Sequence, residues 1–206
     1  MYLYPYNNGY NIPDQKIDAI DKRMRDVLLD VFEAIKGRRS IRAYTDDNIS
    51  DEIVRQLIDA ARWAPSAGNL QPWEFIIVRD AKTKEALSAA ALDQTFIETA
   101  PVVIVVCTNE DRTSWRYGSR GVNLYCLQDT AAAVQTLVLA AFAIGLGTCW
   151  IGAFREETAK QTLKTPEGVR PIAIIPLGYP AKKPRAPQRR PIDEIVHYES
   201  FGDKGC

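Results

Sequence analysis

Histidine is nearly absent from this chain of 206 residues: there is one, His197, and no ligand set surrounds it, so neither a zinc centre nor a histidine-based triad is written here. The four cysteines, Cys107, Cys126, Cys149 and Cys206, show no C-x-x-C spacing. The first three sit in apolar surroundings and are expected to be buried thiols of a reducing compartment. Net charge is also missing. Twenty-six basic side chains cancel twenty-six acidic ones, so no overall positive field draws the chain onto nucleic acid or an anionic membrane. No G-x-G-x-x-G follows a strand, and a Rossmann reading therefore lacks its fingerprint. Internal repeats and low-complexity segments are absent. Met1 to Asp14 has neither a basic start nor an apolar core, so no signal peptide is read and a cytoplasmic protein is expected. The longest uncharged run, Thr130 to Phe154, is broken by glycines at 145, 147 and 152 and carries Gln135, Thr136 and Thr148. It reads as a buried central helix from about Asp129 to Ile144, capped by Gly145 or Gly147, and not as a membrane span.

What is present fits one domain over residues 1–206, with an N-terminal arm at 1–13 and an extended tail at 181–206. Apolar residues at helical spacing from Ile17 to Ile35 predict a helix, or two joined ones, over Lys16–Lys36. Ser50 is a candidate N-cap for a helix with Ile53, Leu57, Ile58 and Ala61 on its apolar face, stopped by Pro65. Trp73–Val78 and Val102–Cys107 have strand character and are both expected to be central in one sheet, with a further strand at Ile172–Leu177. Asp111 to Gly121 reads as a loop. The sum is an α+β domain, a mixed sheet covered by helices.

Two motifs carry chemistry. Arg38-Arg39-Ser40-Ile41-Arg42 concentrates three guanidiniums and a hydroxyl just after a helical segment. Arginine's planar fork matches phosphate oxygens two at a time, so the stretch suits a bound anion; the alternative is a solvated charged surface. Beyond one amphipathic helix follows Ala64-Pro65-Ser66-Ala67-Gly68-Asn69-Leu70-Gln71-Pro72-Trp73. Two further blocks come later: Ala141 to Phe154, a helix running through glycines into an extended segment, and a strand followed by Gly178-Tyr179-Pro180 and the basic run Lys182 to Arg190.

In this order, the four blocks closely resemble the FMN-dependent nitroreductase family over roughly Val31 to Tyr198. The resemblance implies a mainly antiparallel sheet covered by helices, with FMN at a homodimer interface. It gives the phosphate and ribityl end of the cofactor to Arg38, Arg39 and Ser40, and the N1 and O2 edge of the ring to Arg42, where a cation stabilises the anionic reduced form. Asn69 and Gln71 carry amides able to donate and accept at the pyrimidine edge; an asparagine in such a loop also serves simply as a turn-former. By position, Pro65, Ser66 and Ala67 line the flavin of the other subunit. Trp73 reads as core. The backbone N–H of Gly152 is implied to bond flavin N5, with Trp150 and Ile151 against the ring system, and a residue without a side chain suits that close approach. Many family members carry an acidic side chain at this position, so any side-chain role is missing here. Arg189 and Arg190 match a basic position that closes over the phosphate. The family's lysine and asparagine before the second strand are replaced by Asp93-Gln94-Thr95-Phe96, where Gln94 is the remaining candidate.

The activity implied is hydride transfer from NAD(P)H through FMN to a small-molecule electron acceptor, a nitroaromatic, quinone or flavin, in ping-pong order. Such chemistry needs no catalytic acid or base from the protein. The same family includes dehalogenases, flavin-fragmenting enzymes and azoline oxidases, and a non-catalytic FMN-binding redox sensor would share the motifs.

Overall fold

The computed structural model describes residues 31–205. The N-terminal arm, most of the helix expected over Lys16–Lys36, and Cys206 lie outside the described residues. That helix is seen from Val31 to Gly37 (α1). Helix α2, Asp51–Ala61, starts where Ser50 Oγ accepts the Ile53 N–H at 3.3 Å and buries Val54, Leu57 and Ala61. Strand β1 (Trp73–Val78) leads to α3 (Ala81–Ala90), the short α4 (Phe96–Thr99) and strand β2 (Val102–Asn109). Next come α5 (Asp111–Arg120), a π-helical turn at Gly121–Tyr125, and the 18-residue α6 (Cys126–Ala143). Strand β3 (Gly147–Thr148), α7 (Glu156–Leu163), strand β4 (Val169–Gly178) and α8 (Ile192–Ile195) complete the order.

The sheet runs β1-β2-β4-β3 with every strand pair antiparallel; the parallel contact is a single bridge between Ser40 and Thr148. Strand β2 is buried on both faces, which is why its sequence is continuously apolar. Val102, Ile104 and Val106 face a layer built from α2 and α6, where Leu57, Leu137 and Ala141 meet Ile175 and Leu177 of β4. Val103, Val105 and Cys107 face the opposite layer with Ile41, Leu87, Ile97, Cys149 and Ile174. Strand β1 corrects the expectation that it would be central. Among the described residues it pairs with β2 alone and lies at the edge of the sheet, with Ile77 on its exposed side.

The helical run Asp111–Ala143 is long and apolar enough to cross a membrane by composition, yet α6 packs as a core helix through Val134, Leu137, Val138 and Ala141. Its end is a glycine stop of the anticipated kind. Gly145, at φ 82°, donates to Phe142 O at 3.0 Å, and Leu146 reaches back to Ala141 O at 2.9 Å. Gly147 serves packing instead. An added Cβ would stand 2.7 Å from Ile41 Cγ1, so its bareness lets the arginine segment lie against β3. Asp111 to Gly121 is helical, against the expectation of a loop. Cys107, Cys126 and Cys149 are buried free thiols, as expected.

Candidate active site

The arginine segment is held by backbone before any side chain acts. Arg38 N–H closes the last turn of α1 on Ala34 O at 3.0 Å, and Ile41 N–H then bonds Thr148 O at 2.9 Å. Farther on, Thr45 N–H meets Tyr179 O and Ala181 N–H meets Ala43 O, each at 2.9 Å. Three blocks distant in sequence thereby share one seam. Ile41 and Tyr44 anchor it from below, both buried, with Tyr44 Oη donating to Ile41 O at 2.7 Å. Burial pushes the Tyr44 hydroxyl far above its usual range, the nearby Cys149 adds to the rise and Arg42 opposes it, so it stays a protonated donor.

With the backbone fixed, the three arginines diverge. Arg39 turns into the helix end, its Nη1 donating to Lys36 O and Arg38 O at 2.7 Å each. It caps α1 with its guanidinium. Arg38 is half-buried and Arg42 exposed, and neither has an acidic partner among the described residues. Arg38, Ser40 and Arg42 all approach the buried thiol of Cys149. Burial raises that thiol's pKa, while Arg42, a hydrogen bond with Ser40 and Arg38 pull it back. Cys149 is thus a neighbour of the site that its apolar context concealed.

Arg42 also stands 5.8 Å from the centre of the Phe96 ring, which brings residues 93–96 to the seam. Gln94 Nε2 donates to Ala91 O at 2.8 Å and to Ala153 O at 3.4 Å, so this candidate lies beside the segment after Gly152. Ile151 is buried and exchanges both backbone bonds with Ile174 at 3.0 Å, whereas Trp150 is 38% exposed. Gly152 is exposed, and a Cβ built there meets nothing within 4 Å. Among the described residues, then, neither crowding nor a positive φ asks for glycine at 152, and the space a side chain would take there is open.

The Pro65–Gln71 segment forms a second part of the site. Ala67–Asn69 is one 3-10 turn, and Gly68, Asn69 and Gln71 have φ of 57°, 57° and 49°. Two of these are not glycine, and the left-handed region is strained for them. What holds the turn is Asp129 of α6, 8% exposed, whose Oδ1 and Oδ2 each accept the Ala67 N–H at 3.1 Å. Ser66 Oγ accepts the Gln71 N–H at 3.1 Å, and Gln71 Nε2 reaches Asn69 Oδ1 at 3.2 Å. Pro65 is exposed, and Trp73 packs with Ala64 and Ala133, confirming it as core. Among the described residues no hydrogen bond joins this loop to the arginine seam; its neighbours are α5 and α6. Asp129 was hidden from sequence reading because an aspartate near the start of an apolar helix looks like a dipole-complementing residue.

At the far end, residues 181–195 are exposed throughout. Arg190 pairs with Glu194 at 3.2 Å, both solvated, and among the described residues Arg189 has a long contact of 3.5 Å to Gln188 O.

Comparison with known proteins bears on the family and the fold. The sequence pattern of the Nitroreductase family matches residues 35–98 and 89–179. A protein of Methanothermobacter thermautotrophicus that carries the name of an NADH dehydrogenase/NAD(P)H nitroreductase is 37% identical over 160 residues, covering 76% of this chain and 80% of the relative. An FMN reductase (NAD(P)H) of Bacillus subtilis is 33% identical over 190 residues, covering 84% of this chain and 74% of its own length. Among solved structures, the NADPH:FMN oxidoreductase from Vibrio harveyi complexed with NAD+ superposes with a TM-score of 0.77 at 27% identity, covering 84% of this chain and 78% of that one.

Proposed function

The chain belongs to the nitroreductase family, and we propose that it acts as a homodimeric FMN-dependent oxidoreductase, a single domain that takes hydride from NAD(P)H and hands it to an electron-poor small molecule. A nitroaromatic, a quinone or a free flavin suits the acceptor role. The observation that carries this reading is the pairing of Arg38 and Arg42, both without acidic partners among the described residues, with the open backbone at Gly152 along one seam. Cations, a hydroxyl and a bare backbone edge are the donor set that a phosphate-bearing planar cofactor requires, so the residues present fit FMN.

FMN, when bound, supplies a ring that accepts hydride from the donor and gives it to the acceptor. The protein's part is binding and field. Arg38 and Ser40 hold the phosphate end, with Arg39 stiffening the helix end beside them. Arg42 places a positive charge at the ring edge where negative charge develops on reduction, which raises the potential of the bound cofactor. Gly152 offers its N–H, and Trp150 stands at the ring's border. Pro65, Ser66 and Ala67 belong to a half-site that serves the partner subunit's cofactor, with Asn69 and Gln71 beside it. Arg189 and Arg190 would close over the phosphate from the tail. Donor and acceptor would use one site in turn, giving ping-pong kinetics.

The test is direct. The protein is purified, its visible spectrum recorded, and the yellow form mixed anaerobically with NADH and NADPH, then with a quinone or nitroaromatic. Bleaching by donor followed by reoxidation by acceptor is expected, with steady turnover. A colourless protein that takes up no FMN overturns the proposal, and tight FMN binding without turnover makes it a sensor.

A further inference from the structure

Helix α5 is interrupted at Gly118, where φ is 54° and ψ −141°, values open to glycine and strained for other residues. The interruption brings four side chains from the two sides of the break into one stack. The Arg116 guanidinium lies 5.5 Å from the Tyr117 ring centre; Tyr117 meets Tyr125 edge to face at 5.1 Å; and Arg120 lies 5.3 Å over Tyr125, with its Nε donating to Tyr125 Oη at 2.9 Å. A guanidinium stacked on a ring engages its face and leaves in-plane N–H donors for other partners. Both arginines are exposed, and neither has an acidic partner among the described residues. Of the carboxylates on the neighbouring segments, Glu110 holds Arg170 at 2.9 Å and Glu74 holds Arg112 at 2.9 Å, while Asp111 is in no ion pair with either arginine among the described residues.

The stack abuts the loop of the second half-site. A Cβ on Gly68 would fall 2.7 Å from Tyr117 Oη and 2.9 Å from Arg116 Nη1, so the ends of both side chains lie against the loop at residue 68. We propose that Arg116 and Arg120, set on the Tyr117–Tyr125 pair, seat phosphate groups of the nicotinamide dinucleotide donor. The inference rests on the oxidoreductase reading, in which this loop borders the ring on which the donor stacks. A neutral quinone or nitroaromatic offers two guanidiniums nothing, whereas a dinucleotide carries phosphates beyond its reacting ring. The bridging pyrophosphate and a 2′-phosphate share this chemistry.

The experiment uses FMN-loaded dimer and measures kcat/KM for NADH, for NADPH and for a neutral quinone in wild type, Arg116→Gln/Arg120→Gln and Arg116→Lys/Arg120→Lys. In ping-pong kinetics the donor and acceptor values report separate half-reactions. The glutamine pair is expected to lose about tenfold or more in the donor value, while the quinone value stays within about twofold and the lysine pair recovers part of the loss. A fall confined to NADPH assigns the 2′-phosphate; an equal fall for both donors assigns the pyrophosphate. Donor values that stay within about twofold of wild type, or a quinone value that falls as far as the donor's, overturn the proposal. If the glutamine pair loses FMN, Arg120→Gln alone carries the test under the same criteria, because Arg120 is held on Tyr125, across the break from the Arg116 that meets Gly68. Failure of the oxidoreductase reading itself would show differently, as wild type that binds no FMN or oxidises neither donor.

Discussion

Replacing Asp129 by alanine removes both oxygens that hold the Ala67 N–H, each at 3.1 Å, at the root of a turn whose residues 68, 69 and 71 all have positive φ. The bond is charge-assisted and its acceptor 8% exposed, so its loss is worth about 1.5–3 kcal/mol. Two effects act against this figure. Part of the cost of burying the carboxylate is recovered, since burial raises the Asp129 pKa despite the bond to Ala67. The turn also relaxes, releasing strain of about 1 kcal/mol for each non-glycine residue that leaves the left-handed region. A net destabilisation of roughly 1–2 kcal/mol is expected, together with a larger effect on cofactor affinity, because the relaxed turn no longer presents Pro65–Ala67 in one geometry.

Asparagine separates the contributions. Asp129→Asn keeps one acceptor oxygen and sheds the buried charge, so it should lose no more than about half as much stability as alanine. Their pH dependence supplies the sign. An acid whose folded pKa is raised contributes stability that is present below its unfolded value and is lost as pH rises through the folded pKa. Relative to Asp129→Asn, wild type should therefore lose stability between the ordinary aspartate range and the raised value, and the difference should level off above it. Urea unfolding of the flavin-saturated proteins across that range, with FMN titration of the apoproteins, measures both. If Asp129→Ala matches wild type in midpoint and in FMN affinity, the carboxylate does not anchor the turn and the reasoning fails.

Other outcomes follow from the seam. Arg38→Ala should weaken FMN binding about ten- to a hundredfold with little change in potential, while Arg42→Ala should lower the midpoint potential, about 30 mV for each 1.4 kcal/mol of lost differential stabilisation; potentiometric titration of the two variants decides, and a reversed pattern exchanges their roles. Gly147→Ala puts a Cβ 2.7 Å from Ile41 and should cost about 1–3 kcal/mol in unfolding experiments while displacing the arginine segment, read as lost FMN affinity. Arg170 bonds Glu156 at 2.8 Å and Glu110 at 2.9 Å, and its hydrogen bond holds the Glu156 carboxyl below its ordinary range. That pairing stabilises above the unfolded glutamate pKa and is lost as pH falls through the depressed one, so Arg170→Ala should flatten the acid limb of the stability curve. Pro65–Ala67 should couple FMN binding to dimerisation, so a stable monomer in sedimentation with undiminished FMN affinity would count against the shared site.

How far the sequence spoke depended on whether a residue's role was local. The N-cap at Ser50, the glycine stop after α6 and the apolar run of β2 are set by neighbours within a few positions, and each was legible. The edge position of β1 was not. Its composition matches that of a central strand, and only the order of pairing leaves Ile77 uncovered. Helix α5 was missed because its sequence is strongly polar and broken by glycine, with Thr113 the residue it buries; close packing shapes its end, where a Cβ on Gly121 would stand 2.6 Å from Thr113 O.

The candidate site divides in the same way. The arginine motif announced a cation cluster, yet composition alone could not say that Arg39 would turn its guanidinium onto the end of α1 while Arg38 and Arg42 have no acidic partner among the described residues. That division comes from the α1 carbonyls, which lack helical partners and stand within Arg39's reach. Cys149 and Asp129 lie far along the chain from the segments they touch, Asp129 by 62 residues, and nothing in their own surroundings marks them. A motif therefore names the groups available for binding a cofactor, while the fold decides which of them remain unpaired. Unpaired cations at a bare backbone edge are what a ligand can use, and that is why the pairing pattern at residues 38–42, beyond the count of arginines, supports the assignment.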